Sequence, residues 1–175
     1  MLPTYVSADD PIHRTKAKIL SFPLTAEDLE AVRLLEMRFD VEMTCVGLAA
    51  TQIGIGKAII IVSVPSKDGT MRKDIVEKMP KTILINPSFK KIGSEMTGDW
   101  EGCYTIPETM SYVKRCRKIG YTAYKISGEK VTGTANGFLA RVIQHEIDRT
   151  NGIVYADKAA KTLSKSDYVS MVNRY

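Results

Sequence analysis

Gln144-His145-Glu146-Ile147-Asp148-Arg149-Thr150-Asn151-Gly152 is the stretch whose reading decides the fold. It closes a run from Gly137 to Asn151 that reads as a helix, with Leu139, Val142, Ile143, Glu146 and Ile147 on one broad face. Gly152 suits the left-handed residue at which helices stop. A helix reading H-E-x-x-H carries two histidines on one face, so both imidazoles reach one metal, and the Glu between them stands beside a bound water as a base. Here His145 and Glu146 are present and the second histidine position holds Arg149. A guanidinium stays protonated and offers no lone pair, so Arg149 is no ligand. Taken alone, His145-Glu146 also describes an ordinary helix with a satisfied histidine.

Two further segments carry chemistry-bearing residues. In Glu101-Gly102-Cys103-Tyr104-Thr105 a thiolate is available as a ligand for zinc or iron; alone, it reads equally as a buried free cysteine near a turn. In Gly47-Leu48-Ala49-Ala50-Thr51-Gln52 small residues allow close backbone approach, and a Gln amide is able to donate to a developing oxyanion; alone, it reads as a tightly packed turn.

Taken together and in order, the three segments resemble the peptide deformylase family, whose motifs are G-x-G-x-A-A-x-Q, E-G-C-x-S and Q-H-E-x-D-H-x-x-G. Asp10-Pro11-Ile12-His13-Arg14 is similar to the family's D-P-x-L-R segment, and Ile106-Pro107 and Asp157 also fit. The likeness spans residues 1–175 as one domain. It implies an α+β fold, antiparallel sheets packed around a central HExxH-type helix with an N-terminal helix. It implies removal of the formyl group from formyl-methionine at the N-terminus of nascent polypeptides, using one divalent metal, iron(II) or zinc. By position, Cys103 and His145 match two metal ligands and Glu146 the general base. Gln52 and the backbone N–H of Tyr104 match the oxyanion donors. Gly47 matches the residue whose backbone pairs with the peptide. Val46, Tyr104, Arg141 and Val142 match the methionine pocket, with the Arg141 stem over the pocket and its head in water.

Three positions depart from the family pattern. Cys45 replaces the first glycine, which strains the backbone if φ is positive there. Thr105 replaces serine and keeps the hydroxyl. Arg149 replaces the third ligand, and two outcomes follow. Either no metal binds and Arg149 folds into the hole to pair with Glu146 or the Cys103 thiolate, leaving a pseudoenzyme. Or metal is held by Cys103, His145 and water or a nearby carboxylate, with weakened affinity. His13 falls at an apolar position and is not expected as a ligand.

The rest of the chain supports an α+β reading. Thr25 caps a helix with Asp28 in near capping-box position, Leu24 and Leu29 form a staple, and Leu29, Val32, Leu35 and Phe39 form a stripe. Ala58–Val64 and Thr82–Asn86 read as strands, Ser66–Gly69 as a turn, Met71–Lys81 as a charged loop or hairpin. Tyr112–Arg117, Gly120–Ile126 and Lys130–Thr134 read as neighbouring antiparallel strands, with the basic cluster Lys114, Arg115, Arg117 and Lys118 as strand surface. The tail from Thr162 reads as a short helix.

At 175 residues, 44% hydrophobic and 26% charged, the chain suits one core. No run of roughly 20 apolar residues is present to span a bilayer, and Met1–Asp10 lacks the pattern of a signal peptide. Three cysteines argue against a disulfide framework, so a cytoplasmic protein is expected. The net charge of +5 is scattered and reads first as an ordinary basic surface; it also suits contact with the ribosome surface or other anions, and sequence-specific nucleic-acid binding is not expected.

Overall fold

The computed structural model describes residues 1–66 and 75–173. Most of the turn expected at Ser66–Gly69 and much of the charged stretch from Met71 lie outside those residues. The chain enters through a 3₁₀ turn, Pro11–Arg14, whose N-cap Asp10 accepts from the Ile12 N–H at 2.9 Å. Helix α1 spans Ala26–Asp40. Its capping box forms as expected: Thr25 Oγ1 accepts from the Asp28 N–H, and the Asp28 carboxylate accepts from the Thr25 N–H at 3.0 Å. Val32, Leu35 and Phe39 are buried, but Leu29 is 45% exposed and does not continue their stripe inward.

Five strands form one antiparallel sheet in the order β1-β2-β3-β6-β7, and three form another in the order β4-β5-β8. The strands are β1 (Gly47–Ala49), β2 (Ile59–Val64), β3 (Met79–Lys91), β4 (Met96–Cys103), β5 (Ile106–Cys116), β6 (Lys118–Tyr124), β7 (Lys130–Asn136) and β8 (Ala159–Ser164). Helix α2 spans Gly137–Thr150 and α3 spans Lys165–Val172. The expected neighbours around residues 112–126 separate: β5 pairs with β4 and β8, whereas β6 pairs with β3 and β7. Turn residues mark where strands end and leave open which sheet each joins.

Strand β2 is apolar on both sides because both sides are covered. Ile60, Val62 and Val64 join the cluster under α2, with Leu139, Val142, Ile143 and Ile147. Ile59 and Ile61 join Leu35, Val32 and Phe39 of α1. Full burial of one such side chain stabilises by roughly 1.5–3 kcal/mol. The sheet therefore lies between the two helices. Helix α2 also contacts β5, the second sheet's central strand. Every residue from Phe138 to Thr150 is buried, the polar ones included.

Candidate active site

A helix buried on all sides must satisfy its polar groups from neighbouring elements. For α2 much of that falls to one carboxylate. Glu101, 6% exposed at the end of β4, accepts from Arg115 Nε at 2.6 Å and Nη2 at 2.8 Å, from Arg141 Nη1 at 2.6 Å, and pairs with His145 Nδ1 at 2.9 Å. Arg115 also donates to Asp148 at 2.7 Å, and Lys158 joins Asp148 from outside. Burial opposes the charge on Glu101, but Arg115 and His145 outweigh it and hold the carboxyl well below the usual range. Two expectations are corrected here. Arg115 is not strand surface but the second cation of this buried network. Arg141 lines the cleft, but its head turns inward to Glu101 and to the carbonyls of Val113 and Thr97, not to water. Basic side chains are drawn in because the protein there is already negative.

Nδ1 of His145 is engaged by Glu101, and the ring lines the same cleft as Cys103. Burial opposes ionisation of both. The interaction of the two groups with each other and with the charges of Arg149, Glu101 and Glu146 outweighs it, so the thiol of Cys103 is pulled down and the imidazole of His145 is pushed up. Gln52, in a 3₁₀ turn after β1, accepts from the Ala49 N–H at 2.8 Å through its carbonyl oxygen. Its amide nitrogen is thereby turned to Cys103 Sγ, at 3.2 Å. Glu146 is buried, burial raises its carboxyl, and its Oε2 has no protein partner among the described residues. Gly47 is required where it stands: a Cβ there would fall 2.6 Å from Glu146 Oε1 and 2.8 Å from Val142 Cγ1. Cys45 sits at negative φ, so the strain considered for it does not arise. Its buried thiol, pushed up to about 12 mainly by burial, donates to the Gly47 carbonyl.

These groups line one cleft of about 230 Å³. Val46, Gly47, Gln52, Glu101, Cys103, Tyr104, Phe138, Arg141, Val142, His145 and Glu146 all contribute to its wall. The Tyr104 ring stacks on Tyr5, with centroids 5.2 Å apart, and its hydroxyl meets Thr44 at the rim.

Arg149 lies behind Cys103 and His145, 2% exposed. Its Nη2 donates to Thr105 Oγ1 at 2.7 Å and to His13 Nδ1 at 2.9 Å; Thr105 Oγ1 lies 3.4 Å from Cys103 Sγ. His13 Nε2 donates to the Ser7 carbonyl at 3.0 Å, which leaves Nδ1 as the acceptor. Burial and the charge of Arg149 both lower the His13 pKa and keep its ring neutral. Arg149 does fold inward, but its hydrogen bonds go to His13 and Thr105, not to Glu146 or Cys103, which feel its charge without a hydrogen bond. Its Nε and Nη1 have no protein partner among the described residues.

The family model for polypeptide deformylase matches residues 4–165. The chain belongs to the peptide deformylase family. A peptide deformylase 2 of Rickettsia conorii is 47% identical over 183 residues, covering 97% of this chain and 90% of that protein. A peptide deformylase 2 of Ralstonia nicotianae is 37% identical over 128 residues, covering 72% and 71%. Among solved structures, the Met-Ala-Ser-bound class I type b peptide deformylase of Acinetobacter baumannii matches with a TM-score of 0.79, at 26% identity, covering 90% of this chain and 98% of that one. The Thermotoga maritima peptide deformylase matches with a TM-score of 0.78, at 25% identity, covering 92% and 99%.

Peptide deformylases are metal-dependent, and the donor set here does not fit a metal held by three protein ligands. Of the three positions the resemblance assigns, the third carries a guanidinium whose charge faces the site. Among the described residues, no three His, Cys, Asp or Glu side chains converge on one point. Two residues escaped the sequence reading. Glu101 was legible only as a motif letter. His13 sat at an apolar position, although a lone histidine there 136 residues from Arg149 signals a buried polar partner.

Proposed function

We propose that this chain takes the formyl-methionyl N-terminus of nascent polypeptides as its substrate, with deformylation as the reaction. The observation that carries the reading is the convergence of Gln52, Cys103, His145 and Glu146 on one cleft that also has apolar walls. Strand β1 is the end strand of its sheet, with β2 on one side only, and Val46 and Gly47 line the cleft. An extended peptide adds there by strand pairing. Val46, Phe138 and Val142 offer an apolar wall to a methionine side chain. The Gln52 amide and the Tyr104 backbone N–H are the proposed oxyanion donors. Glu146, kept dry and with its carboxyl raised, is suited to carry a proton to the leaving amine. The basic surface suits work near the ribosome in the cytoplasm, and no helix among the described residues is long and apolar enough to cross a membrane.

A second reading has its own support in Arg149: a metal-free, catalytically impaired protein that keeps the peptide-binding cleft. Metal analysis of protein purified without oxygen, paired with formyl-Met-Ala-Ser turnover and binding, separates the two. Turnover supports deformylation. Tight binding with no turnover and no metal supports the second reading. Neither binding nor turnover overturns both.

A further inference from the structure

The segment ahead of the first 3₁₀ turn lies against both residues that carry the proposed oxyanion donors. The Tyr5 ring is stacked on Tyr104, with centroids 5.2 Å apart and planes inclined by 7°. The Val6 N–H donates to the Gln52 carbonyl at 3.1 Å. A Cβ at Gly54, the residue that ends the Gln52 turn, would stand 3.2 Å from Val6 Cγ1, so the valine side chain packs there as well. Tyr5 is itself held by α1 and the residues after it: its hydroxyl donates to Glu42 at 3.2 Å, and the Arg38 guanidinium lies 4.3 Å from the centre of its ring.

The same segment is tied to Arg149. His13 Nε2 donates to the Ser7 carbonyl at 3.0 Å, and His13 Nδ1 accepts from Arg149 Nη2 at 2.9 Å, so one imidazole bridges the guanidinium and the backbone of residue 7. Arg149 Nη2 spends its other hydrogen on Thr105 Oγ1 at 2.7 Å, and Thr105 follows Tyr104 in the chain. These contacts close a ring, from Arg149 through His13 and Ser7 to Tyr5, across to Tyr104, and back through Thr105. Gln52 is joined to it through Val6. An apolar residue at position 13 would open the ring between Arg149 and Ser7.

We propose that residues 5–7, anchored on Arg149 through His13, form a strap that fixes the Gln52 amide and the Tyr104 N–H in place for the oxyanion, with Tyr5 and His13 as positioning residues. The inference rests on the formyl-methionyl reaction and the oxyanion donors proposed above. Such a donor works by being in place before charge develops, so one that drifts loses much of its value. Neither donor stands on a long element. Gln52 belongs to the four-residue 3₁₀ turn Ala50–Ile53, and Tyr104 to the short connection between β4 and β5. A 3₁₀ turn has poor hydrogen-bond geometry of its own. Both donors are therefore braced from outside their segments, and the strap reaches both at once. The arginine that offers no lone pair to a metal thereby acquires a different task, as the anchor of the brace.

The test uses the full chain with its metal content as purified. Amide hydrogen exchange comes first, because it needs no turnover. In His13→Leu and in Tyr5→Leu the Val6 N–H is expected to exchange about 10-fold faster, while the amides of Ile60 and Val62 in β2 keep the parent rate, as local rather than general opening requires. With formyl-Met-Ala-Ser, both variants are expected to lose about 10- to 100-fold in kcat, the scale of a misplaced reacting group, with KM near the parent's. His13→Gln, whose amide both accepts and donates, and Tyr5→Phe, which keeps the ring, are expected to recover most of that loss; a role in stability alone would not divide kcat from KM in this way. Val6 exchange at the parent rate in both leucine variants overturns the strap without recourse to activity. Faster exchange with kcat unchanged also overturns it, as does a loss confined to KM, which would make the segment a wall of the peptide cleft. If the parent chain does not turn the peptide over, the reaction proposed above falls and this role with it; an active parent with indifferent variants sinks the strap alone. Should His13→Leu fail to fold, Tyr5→Leu, at a half-buried position, carries both measurements.

Discussion

Helix α1 buries Ala31, Val32, Leu35 and Phe39 and leaves Glu30 and Arg33 in water, whereas α2, one residue shorter, buries every side chain from Phe138 to Thr150. In α1, apolar area is removed from water on one side and charge stays solvated on the other. In α2, Arg141, Gln144, His145, Glu146, Asp148 and Arg149 are all inside, and each needs a partner brought by another strand or turn. The first helix is scaffold because, Asp28 with its Lys57 partner aside, its polar groups ask little of the fold. The second is a site because the fold is arranged around what its polar groups need.

The sharpest way to break that contrast is Glu101→Ala. It strands Arg115 and Arg141 in the interior, and the expected loss is about 3–5 kcal/mol, the range for breaking a buried ion pair, read from urea unfolding. A loss under about 1 kcal/mol would mean the arginines find water and α2 is no costlier to build than α1. Next comes Thr25→Ala, which removes the α1 cap and should cost about 1 kcal/mol in the same measurement.

The same box predicts a pH dependence. Asp28 is held down to about 2, first by Lys57 and then by Thr25. Its folded-state value lies below its unfolded one. The stabilisation is therefore complete above about pH 4 and is lost as pH falls towards 2. Asp28→Asn should flatten this part of the acid-unfolding curve; an unchanged slope would show that the Lys57 contact does not persist in solution. The smallest effect is expected at Arg33, whose pair with Glu30 is exposed on both sides. Arg33→Ala should leave the urea midpoint where it is, and a clear shift would mean that α1 too relies on its charges.

Much of this was legible in the chain. The capping box and the stripe from Val32 to Phe39 are local patterns, and local patterns survive folding. The three motifs brought Gln52, Cys103, His145 and Glu146 together correctly because each is placed by backbone close to its own segment. What failed depends on contacts between distant segments. Arg141 and Arg115 read as surface because arginine usually is; Glu101, buried between them, turns both inward, with Asp148 and two strand carbonyls completing their partners. The sheet to which Tyr112–Cys116 belongs could not be read from turn residues alone. His13 and Arg149 are each anomalous, and their meaning lies in the pair.

That pair also constrains anyone who would reverse the change. Arg149→His alone would put a second imidazole beside His13, whose Nδ1 would lose its donor. Its ring nitrogen, now free, would compete for whatever entered the gap. Restoring the family's chemistry is therefore a repair at two addresses, the first of them in the N-terminal turn. By the same token, trimming the leading residues or attaching a tag that disturbs the turn would reach the centre of the molecule without touching the cleft.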